Sequence, residues 1–215
     1  MISVVIPALN EAESVATTVQ SISQVLVASG LTPYQIIVVD DGSTDQTGPI
    51  AEQAGAKVIR HPHNVGYGRS LKDGIQGASY EIIVITDADG TYPIADIPKL
   101  YKEYLNGHDM VVGSRTGTHY RESMLKMPMR RFLQFLVEWT TGRRIPDINS
   151  GLRMFNRSTA LTFFPHLCDT FSFTTSLTLA YMMTGKFVAY TPIDYFQRNG
   201  KSHVRLLRDS LRTLQ

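Results

Sequence analysis

The sequence predicts a single α/β domain, Rossmann-like, with a mainly parallel central sheet and helices on both faces. Short apolar runs rich in β-branched residues recur along the first half of the chain, and helix-like segments separate them. Parallel strands need crossover connections, and crossover helices bury both faces of a sheet. A length of 215 residues and an even composition suit one hydrophobic core.

Five runs have the composition of buried strands. They span residues 2–7, 35–41, 57–60, 81–86 and 109–114. In open sheets of this kind, ligands bind beyond the carboxyl ends of the strands. Polar residues that directly follow these runs are therefore the first candidates for a functional site.

The segments between the runs carry helix signals. Apolar residues recur at helical spacing in the first one, at Val15, Val19, Ile22 and Leu26, and Asn10 with Glu13 is predicted to cap that helix. Weaker periodicity predicts helices over about 45–54, 68–76 and 93–106, and Gly55 and Gly107 stand where two of them would stop. The first half thus reads as β-α-β-α-β-α-β-α-β.

Composition excludes several classes of protein. A net charge of +2 gives no bulk attraction for nucleic acid, so no nucleic-acid partner is expected. One cysteine, Cys168, rules out an internal disulfide and a thiolate metal cluster, and its ordinary role is a small buried residue. The N-terminus lacks a secretory signal, and no apolar run approaches the roughly 18 residues that a spanning helix needs.

Two acidic turns follow predicted strands. The first, Asp40-Asp41-Gly42-Ser43-Thr44-Asp45, offers acceptors for a base or a ribose, but it would also serve as a plain turn with a helix cap. The second, Asp87-Ala88-Asp89-Gly90-Thr91, has two carboxylates that alternation sends to the same side of the backbone. That pair suits Mg²⁺ or Mn²⁺ completed by a nucleoside diphosphate, and its alternative is again a turn.

Motifs for other nucleotide chemistries are absent. The sequence has no Gly-x-x-x-x-Gly-Lys-Ser/Thr loop, and Gly66-Tyr67-Gly68 lacks the third glycine of a dinucleotide fingerprint. Phosphate charge would instead meet arginine, whose planar fork donates two parallel hydrogen bonds. Arg115, Arg153 and Arg198 are candidates, although each alone is more often a solvated surface residue.

Taken together, these segments resemble family 2 glycosyltransferases of the GT-A fold, and within them the polyprenyl-phosphate glycosyltransferases such as dolichol-phosphate mannose synthase. Seven segments carry the resemblance in order: residues 4–11, 38–45, 64–68, 86–93, 113–115, 147–153 and 198–203. The sequence departs from the family pattern at Leu152, where Phe is usual, at Thr91, where some members place a metal-binding Gln, and at His203, where Lys normally follows Ser.

The resemblance implies a hexosyltransferase and assigns roles to particular residues. The nucleoside of the donor would be held by Pro7, Ala8, Asn10, Glu11, Asp41 and Asp87, and the Mg²⁺ or Mn²⁺ ion by Asp87 and Asp89. Asp89, Asp147 and Arg115 would be catalytic, and Arg131, Arg153, Arg198 and Ser202 would bind the acceptor or a phosphate. Arg130 adjoins Arg131, so the choice between them stays open.

The expected reaction is a single inverting displacement of the nucleoside diphosphate by an acceptor oxygen. The metal would offset charge on the leaving diphosphate, and the arginines would hold the acceptor in line. A phosphate acceptor is already ionised at neutral pH, whereas a sugar hydroxyl needs a general base, for which Asp147 is the candidate.

Membrane contact is suggested by two segments that mix apolar and basic residues, 124–144 and 204–212. Their alternative is a core-facing helix with a basic solvent side. In many members of the family the chain continues from here into spanning helices. We therefore expect a cytoplasmic protein, peripheral at the cytoplasmic face of a membrane, with a nucleotide-sugar half (1–116) and an acceptor half (117–215).

Three functions remain open from the sequence. The first is transfer of a sugar to a polyprenyl phosphate, which residues 147–153 and Arg198 favour. The second is transfer to a hydroxyl of a glycan or polysaccharide. The third is a non-catalytic nucleotide-sugar binder, against which the intact Asp87 and Asp89 pair counts.

Overall fold

A computed structural model describes residues 1–116, 138, 139, 142 and 145–196, and these contain a seven-stranded sheet. Its strands are β1 (Ile2–Ala8), β2 (Tyr34–Asp40), β3 (Lys57–Arg60), β4 (Ile82–Ile85), β5 (Met110–Thr116), β6 (Arg153–Asn156) and β7 (Val188–Asp194). They lie in the order β3-β2-β1-β4-β6-β5-β7. Strand β6 runs antiparallel to β4 and β5, and the other pairings are parallel, so the predicted mainly parallel sheet is confirmed.

The described helices are α1 (Val15–Ala28), α2 (Thr47–Gln53), α3 (Tyr67–Gln76), α4 (Ile97–Leu105), α5 (Arg157–Phe163) and α6 (Phe173–Met183). The β-α alternation predicted for the first half is confirmed. The observed strand and helix boundaries lie close to the predicted ones. The exception is the helix predicted from residue 93, where a 3₁₀ turn, Ile94–Asp96, precedes α4.

The predicted cap of α1 is wrong. The N-cap is Ser14, and no side-chain hydrogen bond closes that end of the helix. Asn10 adopts a left-handed backbone conformation with φ of 54°, which asparagine tolerates better than most residues. Its side-chain carbonyl accepts a hydrogen bond from the backbone N–H of Thr44, 2.8 Å away. Asn10 therefore joins two loops across the sheet edge and does not cap a helix.

The hydrophobic core lies on both faces of the sheet, as the sequence predicts. On one face Val4 and Ile6 of β1 belong to a cluster that includes side chains of α1, α2 and α4, and on the other face Val5 belongs to a cluster with side chains of α3, α5 and α6. Buried side chains of this size each contribute roughly 1.5–3 kcal/mol relative to exposure. Burial on both faces holds the strands in place, and this positions the residues that follow their carboxyl ends.

The direction of β6 decides where the site forms. Because Arg153 at its start pairs with Ile85 at the end of β4, the loop 147–152 that precedes β6 lies at the edge where the parallel strands end. Residues from the second half thus share that edge with the turns that follow β1, β2, β4 and β5. Which half binds which substrate stays a prediction.

The described residues include no helix that is both long and apolar enough to cross a membrane. The amphipathic segment 204–212 and nearly all of 124–144 lie outside the described residues. Trp139, which lies in segment 124–144, is among the described residues and is 75% exposed.

Candidate active site

The loops that follow β1 and β2 are joined by hydrogen bonds. The backbone N–H of Asn10 donates to the Ser43 hydroxyl at 2.9 Å, and the backbone N–H of Glu11 donates to the Thr47 hydroxyl at 2.8 Å. The Asp41 N–H in turn donates to the Ala8 carbonyl at 2.9 Å. The structure therefore brings together five of the six residues that the sequence predicts for the nucleoside: Pro7, Ala8, Asn10, Glu11 and Asp41. The sixth, Asp87, follows β4.

The Asp41 carboxylate is buried and already holds a neighbouring loop. Its Oδ1 accepts hydrogen bonds from the Val65 N–H and a ring nitrogen of His61, and its Oδ2 accepts one from the Gly66 N–H, at 2.8 to 3.0 Å. A carboxylate has about four acceptor positions, so these three contacts leave one on Oδ2. Hydrogen bonding of Asp41 to a nucleoside stays a prediction that depends on that position.

The two aspartates that follow β4 have different surroundings. Asp87 is partly exposed, and its Oδ1 accepts a hydrogen bond from the Tyr67 hydroxyl at 3.0 Å. Asp89 is buried, and its Oδ1 accepts bonds from the N–H and the hydroxyl of Thr91, at 3.1 and 2.7 Å. Thr91, which stands where some family members have a metal-binding glutamine, thus orients Asp89.

Asp87 and Asp89 suit a metal site whose coordination shell is completed by phosphates of the substrate. Within the described ranges, no three His, Cys, Asp or Glu side chains cluster closely enough to hold an ion by themselves. Mg²⁺ is usually bound through one or two carboxylates, with waters and substrate phosphates completing its shell. Asp87 and Asp89 match that arrangement in number and in ligand type, and they do not form an all-protein cage.

Arg115 and Asp147 form a buried, two-pronged ion pair. Arg115 Nε lies 2.7 Å from Asp147 Oδ2, and Nη2 lies 2.8 Å from Oδ1. The backbone N–H groups of Arg115 and Asn149 donate to the same carboxylate. Burial alone would raise the pKa of Asp147, but the hydrogen bonds and the charge of Arg115, with the two backbone N–H groups, hold it below its ordinary value.

These contacts count against Asp147 as a general base for a sugar hydroxyl, a role that stays a prediction. Four hydrogen bonds reach its carboxylate, which is about as many as a carboxylate can accept. A proton could be taken only by breaking one of them, and a lowered pKa makes a weak base. Asp147 instead fixes the position and orientation of the Arg115 guanidinium.

Arg153 is also placed differently from the prediction, since its side chain is fully buried. Its guanidinium donates from Nε to the Ser150 carbonyl at 2.7 Å and from Nη2 to the Ile148 carbonyl at 2.8 Å, and a third bond reaches the Thr178 hydroxyl. A phosphate cannot reach this group, so the predicted phosphate contact is wrong. Arg153 holds the loop 147–152 from inside the protein.

Comparison with known proteins decides the family. The model of glycosyl transferase family 2 matches residues 3–165. The chain belongs to glycosyl transferase family 2. The resemblance inferred from the motifs is thereby confirmed, and so is the GT-A fold that it implies.

Two relatives of this family 2 chain show the range of what it matches. An uncharacterised protein of Methanocaldococcus jannaschii is 36% identical over 168 residues, which cover 74% of the chain and 66% of the relative. The undecaprenyl-phosphate 4-deoxy-4-formamido-L-arabinose transferase of Serratia proteamaculans is 32% identical over 187 residues, which cover 80% of the chain and 56% of the relative. The chain spans between about half and two thirds of the length of its curated relatives.

Solved structures share the fold. Glucosyl-3-phosphoglycerate synthase from Mycobacterium tuberculosis, in complex with Mn²⁺, UDP-glucose and phosphoglyceric acid, superimposes with a TM-score of 0.81 at 24% identity, covering 100% of the family 2 chain and 77% of the synthase. The same enzyme with Mg²⁺ and UDP gives a TM-score of 0.81, again at 24% identity, covering 100% of this chain and 76% of the synthase. At this level of identity the likeness shows the shared fold.

Sequence reasoning assigned no role to four aromatic residues around the site of this family 2 chain. Tyr67 stacks on Phe171, with ring centroids 5.1 Å apart, while its hydroxyl reaches Asp87. The Tyr92 hydroxyl accepts a hydrogen bond from the Gly151 N–H at 2.6 Å, and Tyr195 lies beneath the Arg115 guanidinium at 5.4 Å. The position of Tyr67 within the Gly66-Tyr67-Gly68 motif was the one sequence feature that could have indicated its place in the site.

Three predicted phosphate ligands, Arg131, Arg198 and Ser202, lie outside the described residues, as do Arg130 and His203. Their roles stay predictions. Leu152, which stands where the family usually has Phe, is fully buried among the side chains on the α1 face of the sheet.

Proposed function

We propose that this chain is the catalytic part of an inverting, metal-dependent glycosyltransferase that moves a sugar from a nucleotide sugar to a polyprenyl phosphate. One observation carries the proposal: the loop before β6 abuts the candidate metal ligand. An ideal Cβ placed on Gly151 would lie 3.0 and 3.1 Å from the two carboxylate oxygens of Asp87. The loop that carries Asp147 thus faces the aspartates that would hold the donor's diphosphate.

The donor side of the proposal rests on the residues at the ends of β1, β2 and β4. Asn10, Glu11 and Asp41 would hold the nucleoside, and Asp87 and Asp89 would hold Mg²⁺ or Mn²⁺. When bound, the ion would offset the charge that develops on the leaving diphosphate. The complexes of the mycobacterial synthase with Mn²⁺ or Mg²⁺ and UDP support this choice of ion and of donor class.

The state of Asp147 favours an acceptor that is already ionised. Because its carboxylate is fully hydrogen-bonded and its pKa is lowered, it offers little help in deprotonating a hydroxyl. A phosphate oxygen needs no such help. Arg115, held in a fixed orientation by Asp147, would supply positive charge beside the reacting groups. The relative named for undecaprenyl phosphate supports the same acceptor class.

We further propose that the protein works peripherally at the cytoplasmic face of a membrane, where a polyprenyl phosphate presents its head group. The apolar and basic segment 124–144 and the exposed Trp139 support this placement. A glycan hydroxyl acceptor and a non-catalytic nucleotide-sugar binder remain the competing functions.

The experiment is a donor screen on the purified chain. UDP- and GDP-sugars are supplied with Mg²⁺ or Mn²⁺ and vesicles that contain a polyprenyl phosphate, and labelled product is extracted into organic solvent. We expect metal-dependent product in the organic phase. Product found only with soluble glycan acceptors would replace the proposed acceptor, and donor binding without turnover would show a binder.

Matched variants identify the metal ligand in the same screen. Asp89→Ala is expected to abolish turnover while the fold is retained. Asp96→Asn serves as the control and is expected to keep wild-type activity. Asp96 is an acidic residue at the start of α4, and its side chain makes no capping hydrogen bond. Wild-type activity of Asp89→Ala in Mn²⁺ would disprove the assignment.

A further inference from the structure

His61 lies between two carboxylates from different elements. It directly follows β3, and its side chain is 10% exposed. Its Nδ1 is 2.8 Å from Asp41 Oδ1, beyond the end of β2, and its Nε2 is 3.1 Å from Asp73 Oδ2 on α3. Its backbone N–H also donates to the Asp40 carbonyl at 2.9 Å, which fixes the ring's starting point.

The ring of His61 is the middle of a chain of polar contacts. Its two nitrogens bridge the carboxylates of Asp41 and Asp73. Arg69, whose Nε donates to Asp73 Oδ2 at 2.8 Å, extends the chain on the far side of Asp73. The position of Asp41 is thereby tied to residues of α3.

We propose that His61 is a positioning residue for the nucleoside. By bridging Asp41 and Asp73, the ring holds Asp41 against the Val65 and Gly66 N–H groups, and so leaves the remaining position of Oδ2 directed to the donor. This inference rests on the proposed function, because it deepens the role of Asp41 there. The described charged groups that face the ring are Asp41 from the β2 end and Asp73 from α3, with Arg69 behind Asp73.

Two substitutions separate the two contacts of the ring. His61→Asn places an amide donor near the Nδ1 position and keeps the bond to Asp41, whereas His61→Gln places it near the Nε2 position and keeps only the bond to Asp73. With UDP and GDP as probes in Mn²⁺, calorimetry is expected to show about a tenfold or greater loss of affinity for His61→Gln and a smaller loss for His61→Asn. In turnover, KM for the donor rises and kcat changes little.

His108→Gln is the matched control, since His108 Nδ1 contacts the Glu103 carbonyl at the end of α4, away from the site. Its affinity is expected to equal that of the wild type. Wild-type affinity in folded His61→Gln would overturn the proposal.

Amide exchange on the free protein tests the inference without any donor. Because the Val65 and Gly66 N–H groups donate to Asp41, their exchange is expected to be faster in His61→Gln than in the wild type and in His108→Gln. Equal exchange in the three proteins would overturn the inference, whereas failure of the wild type to bind UDP or GDP would count against the proposed function alone.

Discussion

Arg115 and Asp147 are joined by two parallel hydrogen bonds, Nε to Oδ2 at 2.7 Å and Nη2 to Oδ1 at 2.8 Å, in a setting where the two side chains are only 10% and 2% exposed. Their separation of 32 residues links the end of β5 to the loop before β6. This pair ties the two halves of the chain together beside the candidate metal ligands.

Asp147→Asn is expected to destabilise the protein by about 3 kcal/mol, because it removes the negative charge of a buried pair and sets an amide donor against guanidinium donors. Urea unfolding measures the change. Glu52→Gln is the control, since Glu52 pairs with Arg60 at the surface with both side chains about half exposed. A surface pair of this kind contributes less than about 1 kcal/mol. Equal losses in the two variants would contradict the buried-pair interpretation.

The same carboxylate predicts a pH dependence of stability. The pKa of Asp147 is lower in the folded protein than its ordinary value of 3.8, so the ion pair contributes fully above that value and its contribution is lost as pH falls further. The free energy of unfolding of the wild type minus that of Asp147→Asn should therefore be constant near neutrality and shrink below about 3.8. A difference that stays constant through that acid range would show that Asp147 keeps its ordinary pKa.

Tyr67→Phe is expected to weaken Mn²⁺ binding about tenfold, as is common when a group that orients a metal ligand is removed. The substitution deletes the hydroxyl that donates to Asp87 and keeps the ring that stacks on Phe171. Mn²⁺ titration in the presence of UDP measures it. Tyr34→Phe removes a hydroxyl that contacts Ser23 at the opposite edge of the sheet and should leave Mn²⁺ affinity unchanged. Unchanged Mn²⁺ affinity in Tyr67→Phe would show either that Asp87 does not bind the metal or that Tyr67 does not orient it.

Gly151→Ala is expected to displace the Asp87 carboxylate. The new methyl group would lie 3.0 and 3.1 Å from the two carboxylate oxygens of Asp87 and 3.1 Å from a ring carbon of Tyr92, so the Asp87 carboxylate has to shift. We expect about 1 kcal/mol or more of destabilisation and about tenfold weaker Mn²⁺ binding. Gly77→Ala places a methyl group at the same 3.0 Å from Ile59, far from the site, and should affect stability only. Equal Mn²⁺ affinity in the two variants would contradict the close approach of the loop to Asp87.

Much of the fold could be predicted because it depends on local patterns. Alternating apolar runs and helical spacing located β1 to β5 and α1 to α4, and the rule that parallel strands end at one edge identified the turns of Asp41, Asp87 and Asp89. Strand β6 was not predicted, although Arg153–Asn156 forms the antiparallel centre of the second half. A four-residue run gives too weak a periodic signal, and its direction depends on neighbours that are distant in sequence.

The sequence by itself determined the family, the parallel α/β framework and the edge at which acidic residues gather, because these follow from hydrophobic periodicity and from motifs a few residues long. Only the tertiary structure decided what individual side chains do: that Arg153 is enclosed, that Arg115 and the Asn149 N–H together fill the acceptor positions of Asp147, and that His61 bridges Asp41 and Asp73. The physical reason is that hydrogen bonds and burial are set by partners that the fold brings together from far along the chain. Residue type alone does not specify those partners.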